Sequence, residues 1–117
     1  MRAVCAALLL LLAANTAVLA HAFLVKSEPA VGLSVAAPRI LRLEFSEPVE
    51  LAFSGFNLAS EAGPPVETGQ VRYAGDDHKV LAADLPPLAP GAYRVRWHAV
   101  SIDTHRTEGD FAFTVKP

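Results

Sequence analysis

Within the run from Gly91 to Ile102, apolar and polar side chains alternate. Tyr93, Val95, Trp97 and Ala99 fall on one face; Arg94, Arg96 and His98 fall on the other. A repeat of two suits a strand with one buried face, and a helix of 3.6 residues per turn cannot use it. Arg39–Phe45 alternates in the same way, with Leu41, Leu43 and Phe45 opposed to Arg42 and Glu44, and Asp110–Val115 turns Phe111, Phe113 and Val115 inward. Ala22–Lys26, Gly55–Ser60, Gln70–Tyr73 and Lys79–Ala83 are further strand candidates. Between these runs lie Ser27-Glu28-Pro29, Gly63-Pro64-Pro65, Gly75-Asp76-Asp77, Pro86-Pro87 and Pro90-Gly91, residues that break strands and shape turns. No helical period persists after residue 20. About seven short strands at this spacing predict an all-β domain, a single antiparallel Greek-key β-sandwich of immunoglobulin-like type.

The segment before the strands is of a different kind. Met1-Arg2-Ala3-Val4-Cys5 leads into Ala6–Ala14, which holds five consecutive leucines, and then into Ala17-Val18-Leu19-Ala20. A short basic start, an apolar stretch and a small-residue site describe a secretory signal peptide over residues 1–20, cut after Ala20. Ala20-His21-Ala22 offers a second cut, after Ala22. The run from Val4 to Ala14 is about half of the roughly 20 residues a membrane span needs, and Asn15-Thr16 interrupts it. The expected product is an exported domain of residues 21–117, not anchored in the membrane. It loses the only Cys and the only Met with the leader, so no disulfide and no sulfur ligand remains, and a hydrophobic core must stabilise it. A net charge of −2, one unit more negative once Arg2 is gone, leaves no basic field for nucleic acid.

Cleavage after Ala20 would expose His21 as the first residue, with an α-amine and an imidazole on one Cα. Asp103-Thr104-His105 follows the Gly91–Ile102 strand and belongs to a connecting loop. In an extended segment, residues two apart point to one side at a Cα separation of about 6.6 Å. With His21, the loop would supply three nitrogens and one carboxylate oxygen. That set suits tetragonal Cu(II), with Zn²⁺ as the main competitor; Ca²⁺ and Mg²⁺ prefer oxygen shells. The amine and imidazoles must be deprotonated to bind, so affinity should fall as pH drops.

A His at the cleaved N-terminus, Phe45-Ser46-Glu47-Pro48-Val49, Leu88-Ala89-Pro90-Gly91-Ala92-Tyr93-Arg94-Val95-Arg96-Trp97, and Ser101-Ile102-Asp103-Thr104-His105 through Gly109 and Phe113 resemble, in order, the CopC copper-resistance proteins. The resemblance spans residues 21–117. It implies a periplasmic copper-binding sandwich working beside a CopD-like inner-membrane copper transporter, with one Cu(II) held by His21, Asp103 and His105. Glu47 falls near the implied site and is not assigned as a ligand. Many family members carry Gly where this chain has Thr104; since a β-branched residue resists positive φ, the loop is expected to be extended here, or the Gly not to be required. Some members also bind Cu(I) through a Met-rich segment. Glu50–Gly69 contains neither Met nor His, so no Cu(I) thioether site is expected.

Two other functions fit a copper-bearing or bare sandwich: a copper-dependent oxidative enzyme of monooxygenase type, and a metal-free adhesive module. The chain is short for a substrate plateau, and an equatorial carboxylate should favour Cu(II) and slow redox cycling. The expected role is therefore a copper carrier or buffer, not an enzyme. Trp97 reads as core, His98 as surface, and Asp76-Asp77-His78 as a solvated hairpin turn with at most a weak hold on a second cation.

Overall fold

A computed structural model describes residues 21–117; the expected leader, residues 1–20, lies outside them. The chain forms β1 (Leu24–Glu28), β2 (Ser34–Val35), β3 (Ile40–Phe45), a 3₁₀ turn (Leu51–Phe53), β4 (Gly55–Ser60), β5 (Pro65–Val66), β6 (Arg72–Tyr73), β7 (Val80–Asp84), β8 (Gly91–Val100) and β9 (Arg106–Val115). They make two sheets, one ordered β1-β3-β7-β6 and the other β2-β9-β8-β4-β5. Every strand pair is antiparallel except β2–β9, where Ser34 and Val35 run parallel to Thr114 and Val115. The predicted β-sandwich is therefore present, with two additional edge strands too short for periodicity to reveal.

The inward residues close one core between the sheets. Leu41, Leu43 and Phe45 of β3 meet Leu58 of β4, Leu81 and Ala83 of β7, Val95 and Ala99 of β8, and Phe111, Phe113 and Val115 of β9. The β8–β9 hairpin is its backbone, paired in register from Gly91↔Val115 to Val100↔Arg106. Strand β9 begins four residues before the expected Asp110. Its first half offers only Thr107 and Gly109 to the inner face, so no apolar alternation marks it.

Gly109 is required by its neighbour. It pairs with Trp97, which is half-buried and packs edge-on against Phe45 with ring centroids 5.4 Å apart. A Cβ at position 109 would lie 2.7 Å from the indole Cζ2 and 3.0 Å from Cε2. The ring thus covers bare backbone, a pairing that protects an otherwise unpacked glycine.

Strand β1 contains a bulge. Leu24 pairs with Phe45 and Lys26 with Glu44, which leaves Val25 as an extra residue. Ser27 is buried, so unbroken alternation would turn Val25 and Phe23 inward. Instead both are 56% exposed, and Ala22 is fully buried in the core. One surplus residue has reversed the phase of everything before it.

His98 lies on the outer face of the second sheet, between Gly55 and Glu108. It is half-buried rather than fully at the surface. Burial, and then the positive charge of Arg106, push its imidazole below its ordinary value.

Two predictions follow from these packings. Gly109→Ala should destabilise the domain by about 1–3 kcal/mol, because the rigid indole must be displaced. Since Trp97 is the only tryptophan, its emission maximum should shift in the same variant; unchanged emission and stability would refute the close approach. For His98, the folded state favours the neutral ring, while the unfolded chain protonates first as pH falls. Stability should be fully present above the ordinary imidazole value, near 6.5, and decline as pH falls from there to the lower folded-state value. Thermal melts of His98→Gln across this range should lack that component of the decline.

Candidate metal centre

One end of the sandwich gathers the chemistry. The N-terminal segment reaches it because Ala22 is fully buried and two hydroxyl side chains hold the backbone around it. Thr107 Oγ1 donates to the Ala22 carbonyl at 2.6 Å. Ser46 Oγ donates to the His21 carbonyl at 3.3 Å and accepts from the Phe23 N–H at 2.9 Å, and the Ser46 N–H donates to the Phe23 carbonyl at 2.8 Å. His21 is therefore placed by backbone contacts on both strands beneath it.

The β8–β9 connection approaches from the other side. It is not extended, so of the two outcomes expected from the sequence the first does not occur. The Thr104 N–H donates to the Ser101 carbonyl at 2.8 Å, and the Ser101 N–H to the His105 carbonyl at 3.0 Å, which closes a tight three-residue hairpin loop. Thr104 occupies the left-handed region at φ 70°. A β-branched residue was expected to avoid that region; the hairpin closure imposes it. This is the conformation that glycine adopts at no steric cost, which accounts for the Gly of the resembling family.

The turn still converges two of the expected ligands. Asp103 Oδ2 lies 3.3 Å from His105 Nδ1, close enough for charge attraction although the angle does not make a hydrogen bond. Asp103 Oδ1 accepts a short hydrogen bond from Ser101 Oγ. That bond first, and the neighbouring His105 after it, hold the Asp103 carboxyl below the usual carboxylate range, so it is ionised at neutral pH.

His21 and His105 then meet ring to ring, stacked with centroids 4.7 Å apart and planes 24° from parallel. Phe23 flanks His21 at 6.0 Å. His21 Nε2 and His105 Nδ1 are both shut off from solvent and have no hydrogen-bond partner among the described residues. Buried ring nitrogens are normally satisfied, so two unpartnered ones on stacked rings, one of them beside a carboxylate, are suited to an incoming cation. The described residues hold no ready-made cage of three or more His, Cys, Asp and Glu side chains.

Glu47 lines a cleft of about 190 Å³ together with Pro48, Ser101, Ile102 and Asp103. It is thus beside the loop, as its sequence position suggested. His78 is elsewhere: its ring stacks on Tyr73 at 4.0 Å, and Asp77 Oδ1 accepts the Lys79 N–H at 3.0 Å within the turn. Arg94 is engaged by Glu61 at 3.0 Å and Asp110 at 3.1 Å on the outer sheet face. Sequence reading did not single out Ser46, Ser101 or Thr107 as functional. The two serines stand inside the motifs that carried the family resemblance, whereas Thr107 had no signal in a stretch without apolar alternation.

Relief of the left-handed strain gives a direct check on the loop. Thr104→Gly should raise stability by up to about 1 kcal/mol, the steric relief exceeding the added chain entropy. Urea unfolding of the variant measures it, and a loss of stability would contradict the positive φ.

Comparison with known proteins agrees with this architecture. Copper resistance protein C of Pseudomonas syringae pv. tomato is 40% identical over 103 residues, covering 83% of this chain and 82% of that protein. The crystal structure of PcoC, a methionine-rich copper resistance protein from Escherichia coli, superposes with a TM-score of 0.74 at 39% identity, over 83% of this chain and 100% of that one. CopC from Methylosinus trichosporium OB3b gives a TM-score of 0.77 at 36% identity, over 83% of this chain and 95% of that one. Residues 24–116 match the CopC domain family. With the sandwich and the sequence match in agreement, the chain belongs to the CopC family.

Proposed function

We propose that this protein is a periplasmic Cu(II) carrier or buffer that binds one ion through processed His21, Asp103 and His105. Copper as the metal is supported by the relatives, which are named for copper resistance. The observation that carries the ligand assignment is the meeting of His21 with His105, each with an unpartnered buried ring nitrogen, beside ionised Asp103. Removal of residues 1–20 would add the α-amine of His21, completing three nitrogens and one oxygen around a tetragonal ion. The buried side chain of Ala22 favours the cut after Ala20. A cut after Ala22 would remove His21 and the buried Ala22 together, leaving the space of that methyl group in the core unfilled.

Residues 21–117 contain no Met or Cys. PcoC is described as methionine rich; residues 21–117 have no thioether to offer Cu(I), and we assign the site the cupric state alone. Its action is binding rather than catalysis, and the CopD-like inner-membrane transporter implied by the family is the proposed recipient. The sandwich contributes by holding the N-terminal segment within reach of a remote loop, so that little freedom remains to be lost when the ion binds.

Processing tests the reading most directly. The chain starting at His21 should bind one Cu(II) with an electron paramagnetic resonance spectrum of a three-nitrogen, one-oxygen tetragonal site. Acetylating that terminus, or retaining residues 1–20, should weaken binding by about a hundredfold or more, the order of a lost chelate contact. Affinity should also fall with pH as the amine and imidazoles protonate. Equal affinities for the free and blocked termini would overturn the proposed coordination.

A further inference from the structure

Ser101 ends the β8 side of the hairpin and is only 2% exposed, paired across a single bridge with Val49. Its backbone is fully used: the N–H donates to His105 and the carbonyl accepts from Thr104. Its hydroxyl has one proton and two acceptors near it, Asp103 Oδ1 in a short hydrogen bond and the His105 carbonyl at 3.4 Å. A charged carboxylate outcompetes a neutral carbonyl for that proton. The other oxygen, Oδ2, is the one facing His105 Nδ1.

We infer that Ser101 is a positioning residue that fixes Asp103 as a one-oxygen ligand and thereby sets the preference of the site for copper. This rests on the copper reading above. With Oδ1 committed to the buried hydroxyl, and approached at 3.5 Å by the His105 N–H, Oδ2 is the oxygen left facing the His105 ring. A single oxygen beside three nitrogens fills four positions in a plane, the arrangement Cu(II) favours. Without the hydroxyl only the long contact from the His105 N–H restrains Oδ1, and the carboxylate can rotate and offer both oxygens. Such a site accommodates Zn²⁺, whose geometry is set by no d-electron preference, more easily. Partners of this kind around metal ligands are commonly responsible for ten- to hundredfold differences in affinity.

The experiment uses the chain starting at His21, with Cu(II) and Zn(II) as the probes. Ser101→Ala is expected to weaken Cu(II) binding about ten- to hundredfold, to weaken Zn(II) binding less, and to alter the copper electron paramagnetic resonance parameters. Ser101→Thr, which keeps the hydroxyl, should retain the native spectrum. In an Asp103→Ala background, Ser101→Ala should cause no further loss, because its effect passes through that carboxylate. Circular dichroism of the metal-free variants checks that each is folded. Should Ser101→Ala not fold, the Ser101→Thr spectrum and its Cu(II)-to-Zn(II) ratio decide, and a departure from wild type in either overturns the inference. Unchanged spectrum and selectivity in folded Ser101→Ala overturns it, and so does an equal loss with and without Asp103. Failure of the unaltered chain to take up Cu(II) would instead overturn the copper reading, and this inference with it.

Discussion

Burial of Ala22 between the sheets, with the carbonyls of His21 and Ala22 accepting from Ser46 and Thr107, is the constraint on which the proposed metal centre depends. A chain terminus is ordinarily the loosest part of a domain. Here the residue next to His21 is packed as tightly as the middle of a strand, and the hydroxyls that satisfy the backbone come from opposite sheets: Ser46 follows β3, Thr107 lies in β9. The sandwich therefore does more than support a loop. It brings together residues about 80 positions apart in sequence by closing its two layers over a methyl group.

The hairpin on the other side combines strain and order. Thr104 is held at positive φ where a glycine would rest without cost, yet the loop around it is knitted by Ser101 through both backbone groups and its side chain. Such a loop holds Asp103 and His105 in place, and the imidazole of His21 stacks on that of His105 from the other side of the cleft between chain start and hairpin. The groups proposed to bind the ion are thus set by two separate pieces of backbone, each ordered by its own hydrogen bonds.

Much of this was legible in the sequence because the responsible physics is local. Period-two alternation located β3, β4, β7 and β8 to within two residues at each end, and the family motifs placed Asp103, His105 and His21 as one set. What escaped was either too short or carried by polar residues. Strands β2 and β5 have two residues each, below the length at which a period exists. The start of β9 turns Thr107 and Gly109 inward, so hydrophobic pattern is silent there although both residues are demanding, one clasping Ala22 and the other lying under Trp97. The sequence left the loop open between an extended form and a position that does not require Gly; closure of the β8–β9 hairpin overrides the preference of a β-branched residue and decides for the second.

The bulge at Val25 has a consequence for how this domain is compared and re-engineered. Because the odd residue decides whether Ala22 or Phe23 enters the core, the distance of His21 from the strand matters less than the parity of the residues between them. An alignment that closes the bulge with a gap would match letters while exchanging inner and outer faces. A designer transplanting this N-terminus onto another sandwich would need to carry the surplus residue along with the histidine. Omitting it would drive an aromatic ring into space shaped for a methyl and swing the imidazole away from its loop.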